Sequence, residues 1–556
     1  MRHLYNFMRL TAPCPDVETT RGRGGREFDA RLLASVCALF LAALACATPA
    51  RAADHTHKFL HNDYDKSHCW TVSGNGLTAP AMTLKNAGPV GPNMSPGLSI
   101  FGDGITAAEA NYNYTDPQLA VSPKYVLVLE AHRYVFYDRA NNQPLAAEGC
   151  VPLNGSFSDL FAPLLLPTDP ATNANNKGDI NYQLEFGTNP KFPCDPKNFL
   201  DPPAPAPPSG CIQGNYDARA YFDYDTRRFW IIAAARNHLG PCPTSGPPPS
   251  GPCGDEARRY VFVAVSKDED PRKGFWEYTL VRDYADWPLF SVRNQRLIIG
   301  HNGGKRIYVF DSKKLLSGTT TDPFLGQYLD ASFPESDTIT TVTQYSDADG
   351  LSLLLGRSGS KLTVYAFKDP TKPLVKKTQT LTVAPSWAMQ PVYRFEKFYF
   401  TDDACDGTGC PRHRVDVHVV TASLKGSPVT VGAFTDKDYP LKHSNASLRM
   451  PGVIIEENGS AIVWYLQFPS DGTAQQARYQ VLYPNESGFR ASAVLRASDK
   501  AADETFIGDK DIGGAAEPGK LGFWITHIYS DSGGKKLQTV GEINPVAPAG
   551  PPKPKE

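Results

Sequence analysis

The sequence predicts an all-β fold, and within that class a β-propeller of seven blades, with six or eight also open. Three observations point there. Aromatic residues make up 11% of the 556 residues, including 25 Tyr and 28 Phe, and such side chains favour strands over helices. Gly (46) and Pro (48) together reach about 17%, above the roughly 12% average, so the chain turns often. Long helical periodicity is almost absent. Short β-branched and aromatic runs recur between Gly, Pro, Asn and Asp, which is the pattern of strands and turns.

The strand runs include YVLVLEAHRYVFYD (125–138), ARAYFDYDTRRFWIIAAA (218–235), RRYVFVAVS (258–266), RIYVFD (306–311) and KLTVYAF (361–367). AIVWYLQF (461–468) and KLGFWITHIYS (520–530) follow later. Seven similar starts recur, each a polar or Pro-containing entry followed by two or three strands. They fall near Asp116, Asp217, Tyr284, Thr338, Met389, His443 and Gly508. The first interval is lengthened by a Pro- and Asn-rich insertion at about 164–212. Without it the period is 50–65 residues, close to the 40–50 of a four-stranded blade. So many antiparallel strands must hide their edges. A closed ring does this, with the first and last strands sharing a blade. Two sandwich domains would need a central linker, and the composition shows no such break between Asp217 and Ser530.

The N-terminus reads as a sorting signal. Arg21, Arg23, Arg26 and Arg31 precede an apolar run from Leu32 to Ala47, and Ala50-Arg51-Ala52 fits the small-x-small cleavage rule. The expectation is a secretory signal over 1–52, with the true start open, Met8 being a candidate. A retained anchor and a lipid anchor at Cys46 are the alternatives. The chain is then expected to be secreted, extracellular or periplasmic. Residues 53–115 lead into a propeller over 116–543, and the Pro/Lys-rich tail 544–556 is expected to be disordered.

Charge excludes some partners. The net charge is −2, and −5 once residues 1–52 are removed, so no nucleic-acid footprint is expected. No apolar stretch after residue 55 approaches a membrane span. The expected partner is an extracellular glycan or protein, and the oligomeric state stays open.

Eight cysteines lie beyond the signal: Cys69, Cys150, Cys194, Cys211, Cys242, Cys253, Cys405 and Cys410. An even count in an exported chain reads as disulfides. Proximity pairs Cys194 with Cys211, Cys242 with Cys253 and Cys405 with Cys410, leaving Cys69 with Cys150. Other connectivities remain open. CxxC-type metal spacing is missing.

A family resemblance appears at specific segments. DPQLAVSPKYVLVLEAHRYVFYDR (116–139), DARAYFDYDTRRFWIIAAA (217–235) and VFVAVSKDEDPRKGFWEY (261–278) resemble a group of secreted bacterial seven-bladed β-propellers. DYADWPLFSVRNQRLIIGHN (283–302), RIYVFDSKKLLSG (306–318), LRMPGVIIEENGSAIVWYLQF (448–468) and GDKDIGGA (508–515) are similar to later elements of that group. The similarity spans about 400 residues in order. It implies the fold and little function, because most members have no assigned activity. Ala218 stands where Pro is common, and Lys510-Asp511 where Tyr-Ser is common.

Polar residues at the repeat starts are the candidates for chemistry, because blade entries surround the central funnel. The ligand-binding candidates are His132, Asp217, Arg219, Arg236, His238 and Arg449. The catalytic candidates are Asp286, Asp509 and Asp511 as acid/base carboxylates, and His301 and His527 as proton shuttles. Arg449 would clamp a carboxylate. Each of these residues has a plainer reading as a turn or strand-end hydrogen-bonding group, and Asp286-Trp287-Pro288 equally caps its own loop.

The metal question stays open. His55, His57, His61, Asp63, Asp65 and His68 cluster near the mature N-terminus and read as an exposed polar leader. Asp347-Ala348-Asp349-Gly350 resembles the opening of a calcium loop, but Ser358 stands where an EF-hand needs Glu, so a turn is expected. Asp402, Asp403 and Asp406 form a second acidic turn. No cofactor is expected, with a single structural calcium as the alternative. No nucleophile elbow, P-loop, GxGxxG or HExxH occurs, and SDADGLSL and SDSGGKKL lack the Trp of a sialidase-type turn.

Two functions fit. One is a secreted propeller that binds a glycan or protein partner on its funnel face. The other is an extracellular hydrolase or lyase acting on a polysaccharide. Fold does not choose between them.

Overall fold

The computed structural model describes residues 117–161, 212–237, 259–281, 288–381, 390–501, 513–516 and 523–543. Positions 131, 132, 142, 147–150, 152, 302, 303, 320, 485, 499, 531 and 533–535 within these stretches are excepted. It also describes the backbone of three short strands, Leu60–Asp63, Thr83–Leu84 and Ile100–Phe101. Among the described residues no helix is long and apolar enough to cross a membrane.

Seven antiparallel sheets follow one another along the chain as the blades of a β-propeller. Their inner strands are Gln118–Val121, Ile212–Asp223, Pro288–Arg293, Thr338–Thr341, Val392–Arg394, Ala446–Ile455 and Gly514–Ala516. The predicted repeat starts fall within six residues of these strands. The largest offset that moves a boundary inward is at the second, where the strand begins at Ile212 and Asp217 lies inside it. Consecutive inner strands are neighbours, the fourth reaching the fifth through Thr343–Gln344, which pairs in parallel with Val392 and Tyr393, and the seventh lies against the first. The ring is therefore closed.

The cores explain the sequence pattern. Among the described residues there are seven apolar clusters, and each fills the gap between two successive blades. A blade strand is thus buried on both faces, and successive side chains point to opposite neighbours. In the run Phe229 to Ala234, Phe229, Ile231 and Ala233 pack toward blade 1, and Trp230, Ile232 and Ala234 pack toward blade 3. That is why the strands read as continuous apolar runs rather than alternating ones.

Blade 7 to blade 1 is the seam. Leu119, Val121, Val126, Val128, Val135 and Tyr137 pack there against Trp524 and Val540. The Gln538 amide donates to the Leu129 carbonyl at 3.0 Å and to Thr526 Oγ1 at 2.8 Å. Arg139 pairs with Glu542 at 3.1 Å and covers the Trp524 ring. A Cβ on Gly513 would meet the Gln118 backbone at 2.7 Å, so glycine lets the two inner strands approach.

The expectation that first and last strands share a blade is met differently. Blade 7 contains Gly514–Ala516, Phe523–Ser530 and Lys536–Ile543, all from the C-terminal part. Ile100–Phe101 approaches Lys536–Ile543 but pairs in its ladder with Thr83–Leu84. Leu60–Asp63 instead adds a fifth, outermost strand to blade 2, beside Phe275–Val281. The insertion and the C-terminal tail lie outside the described residues.

Candidate functional site: an axial channel and a charged rim

All seven inner strands, or the turns that follow them, contribute to a cavity of about 70 Å³ on the ring axis. A buried water needs roughly 10–15 Å³ by the same measure, so the cavity has room for a few waters and not for a sugar ring. Its polar lining is Gln118, Arg219, Ser291, Thr343, Gln344, Tyr345 and Gln390. Tyr221, Phe290 and Trp464 supply aromatic surface.

Several of these groups serve the ring. The Gln390 amide donates to the Phe290 carbonyl at 2.7 Å and to Thr341 Oγ1 at 2.8 Å, tying blades 3, 4 and 5. Gln344 donates to the Leu351 carbonyl and accepts from the Leu353 N–H, both at 3.1 Å. Tyr345 hydrogen-bonds the Ala516 backbone across the axis, and burial pushes its phenol well above the usual range. Others have no such duty. Gln118 Nε2, Ser291 Oγ and Trp464 Nε1 are buried and have no hydrogen-bond partner. The Trp464 ring is fixed by Gly514, where a Cβ would come within 2.2 Å of it.

Arg219 and Arg449 share a structural device. Each lies on an inner strand beside a bulge with one left-handed residue. Asp217 has φ 51° next to the register shift opposite Ile232 and Ala234, and Met450 has φ 54° between Arg449 and Gly452. A bulge re-aims the side chains around it. Arg219 is brought to the channel and is only 4% exposed. Arg449 is brought instead to blade 5, where its Nε donates to Asp403 Oδ2 at 2.6 Å.

Arg449 thus clamps a carboxylate of its own chain. Burial pushes the Asp403 carboxyl up, and the Arg449 guanidinium pulls it back. His413 Nδ1 lies 3.0 Å from the other Asp403 oxygen. Asp402, next in sequence, faces the opposite way, toward blade 4. It sits across the ladder from Asp416, which Arg414 holds with two bonds of 2.8 and 2.9 Å. Asp406 pairs with Lys442 at 2.9 Å. This rim stands at the end of the ring where the inner strands begin. Cys405 and Cys410 close its hairpin with a disulfide.

The remaining candidates divide. His132, His238, Asp286, Asp509 and Asp511 lie outside the described residues. So do Cys69, Cys150, Cys194, Cys211, Cys242 and Cys253, and His55, His57, Asp65 and His68 of the N-terminal cluster. The backbone places Arg236 near the end of the second strand of blade 2, and His301 opposite Pro288 in blade 3. His61 and Asp63 lie on the strand added to blade 2. His527 is fully buried in blade 7, and burial pushes its pKa down to about 3. Asp347 accepts from the N–H groups of Ala348 and Gly350 at 2.9 and 3.0 Å, forming the expected turn.

Sequence reasoning missed the channel's uncharged lining. Gln118, Ser291, Gln390 and Trp464 look like ordinary strand residues. Their position on or beside the innermost strand of a repeat is the signal that would have found them.

No family model matches the chain, and no curated protein matches it. Solved structures share similarity at a low level. A Hadza microbial sialidase is 9% identical, over 77% of this chain and 65% of that one, with a TM-score of 0.33. The β-propeller domain of the trilobed protease from Pyrococcus furiosus is 8% identical, over 53% and 73%, with a TM-score of 0.28. A Penicillium chrysogenum alpha-L-arabinanase is 13% identical, over 59% and 92%, with a TM-score of 0.28. Similarity this distant says nothing of activity.

Proposed function

We propose that this is a secreted binding propeller that holds a glycan on the funnel face, seating one polar group of the ligand in the mouth of the axial channel. One observation carries the reading. Three buried polar atoms on channel-lining residues, Gln118 Nε2, Ser291 Oγ and Trp464 Nε1, have no partner in the protein. Buried donors without partners cost about 1–3 kcal/mol each, so they are normally met by water or a ligand. All three can donate, and Arg219 adds a guanidinium to the same lining. Donors on residues that line one cavity suit a carboxylate or hydroxyl oxygen.

The test is a thermal-shift screen of the purified chain with polygalacturonate, alginate, arabinan and xylan, followed by an assay for new chain ends. Anything that binds only the folded state raises the melting temperature. The expected result is a rise with one glycan class and no new ends. New chain ends would replace this reading with a hydrolase or lyase. No shift with any glycan would leave a protein partner as the ligand.

A further inference from the structure

The hairpin of blade 5 carries a second feature that the channel does not use. Cys405 ends the second strand and His413 begins the third, and the two are direct cross-strand partners. The loop between them returns Cys410 to the same place, so that its Sγ lies 3.7 Å from His413 Nε2. The two sulfurs and a ring nitrogen of His413 lie within 4.8 Å of one another. The other ring nitrogen, Nδ1, is 3.0 Å from Asp403 Oδ1, an ion-pair contact. Asp403 is in turn held by Arg449 at 2.6 Å. In sequence this is C-x4-C-x2-H.

We propose that this hairpin is a redox-gated metal site: oxidised, it is the disulfide of the structure, and reduced, it binds one zinc-class ion through Cys405 Sγ, Cys410 Sγ and His413 Nε2. The chemistry supports each part. Two thiolates and an imidazole are a ligand set for zinc. Ligand atoms on one zinc stand roughly 3.3–3.8 Å apart, from bond lengths of about 2.0–2.3 Å. Modest side-chain rotation brings the three atoms to that spacing. Gly407 and Gly409 both have positive φ in the hairpin loop, and a Cβ on Gly409 would meet nothing within 4 Å, so the loop has space to adjust. Asp403 Oδ1 lies 3.0 Å from His413 Nδ1 without a hydrogen bond in the oxidised hairpin, and is placed to become the outer-shell carboxylate of a metal-bound histidine once the ring turns. The fourth position is left to water.

The steps balance. A dithiol reductant gives two electrons and two protons to the Cys405–Cys410 bond and ends as its own disulfide. The metal then replaces the two thiol protons, which pass to solvent. A disulfide oxidant reverses the sequence: the two thiolates give it two electrons and re-form their bond, it takes up two protons from solvent to end as the dithiol, and the ion is released.

The test uses Co²⁺ as the probe, on the full chain reduced with a phosphine and on the oxidised chain. Thiolate-to-cobalt absorption in the near ultraviolet reports coordination. The chain holds 11 cysteines, so the reading is the difference from a C405S/C410S variant. The expected result is one additional Co²⁺ per reduced wild-type chain and no such difference when oxidised. His413→Ala should weaken binding at least tenfold, and Asp403→Asn by about 10- to 100-fold. His413 is half-buried at the edge of the hairpin, and its single substitution gives a second variant to read if the double cysteine variant folds poorly. Equal Co²⁺ binding by reduced wild type and the double variant would overturn the proposal. So would a His413→Ala chain that binds as tightly as wild type.

Discussion

Glu456 is buried at 1% exposure, and neither carboxylate oxygen has a hydrogen-bond partner. Burial pushes its pKa from 4.5 up to about 8, with Arg394 opposing. The sign follows from linkage. Between pH 4.5 and 8 the unfolded carboxyl is ionised while the folded one keeps its proton. Stability therefore falls as pH rises through that window and levels off above it. Glu456→Gln has no such proton to lose. Urea unfolding should show the variant gaining on wild type from pH 5 to pH 8, by on the order of a few kcal/mol. Parallel pH curves for the two proteins would show that Glu456 is solvated. His527 has the opposite sign. Its pKa is pushed from 6.5 down to about 3, so its contribution is lost as pH falls through that interval. Gly514 sets a steric limit, because an added Cβ meets Trp464 at 2.2 Å. Gly514→Ala is expected to cost about 1–3 kcal/mol, measurable as a lower melting temperature. An unchanged melting temperature would mean that the ring yields.

At the scale of elements, the strands were legible and the direction of their polar side chains was not. A run such as Phe229 to Ala234 announces itself, because each residue must satisfy one of two neighbouring blades. Asp402 and Asp403 show the limit. They are adjacent and alike in sequence, yet strand alternation sends one toward Asp416 and the other to Arg449. Arg219 and Arg449 looked equivalent as repeat-start cations. The bulges at Asp217 and Met450, which no hydrophobic pattern encodes, send one to the channel and the other to a rim carboxylate. The Cys405–Cys410 pairing was legible from its short spacing. His413 was not, because it joins that pair only through cross-strand register. The seam between blades 7 and 1 gives a prediction at this scale. Gln538→Ala leaves the Leu129 carbonyl and Thr526 Oγ1 without their amide. The loss should be about 1–3 kcal/mol, and hydrogen exchange should quicken first in Phe523–Ser530 and Tyr125–Glu130. Uniform quickening across all blades would contradict a localised seam.

For the whole molecule, closure creates the one place where seven separate repeats meet. Each inner strand is unremarkable alone. Together they bring Gln118, Arg219, Ser291, Gln390 and Trp464 from five blades around one cavity of about 70 Å³. On the proposed reading, a cavity of this size takes a single group of the ligand and leaves the remainder on the funnel face. Ser291 separates this account from a purely structural one. Its hydroxyl is buried without a partner, so removing it should leave stability within about 1 kcal/mol of wild type or raise it slightly. The same hydroxyl should matter to a ligand that completes its hydrogen bonds. The most direct measurement is a calorimetric titration of polygalacturonate, alginate, arabinan and xylan, each in turn, into wild type and Ser291→Ala, with melting temperatures taken alongside. The account predicts saturable binding to wild type and an affinity lower by about 3- to 10-fold in the variant, or roughly 0.6–1.4 kcal/mol, at unchanged melting temperature. Equal affinities for the two proteins, or no binding to wild type, would contradict it.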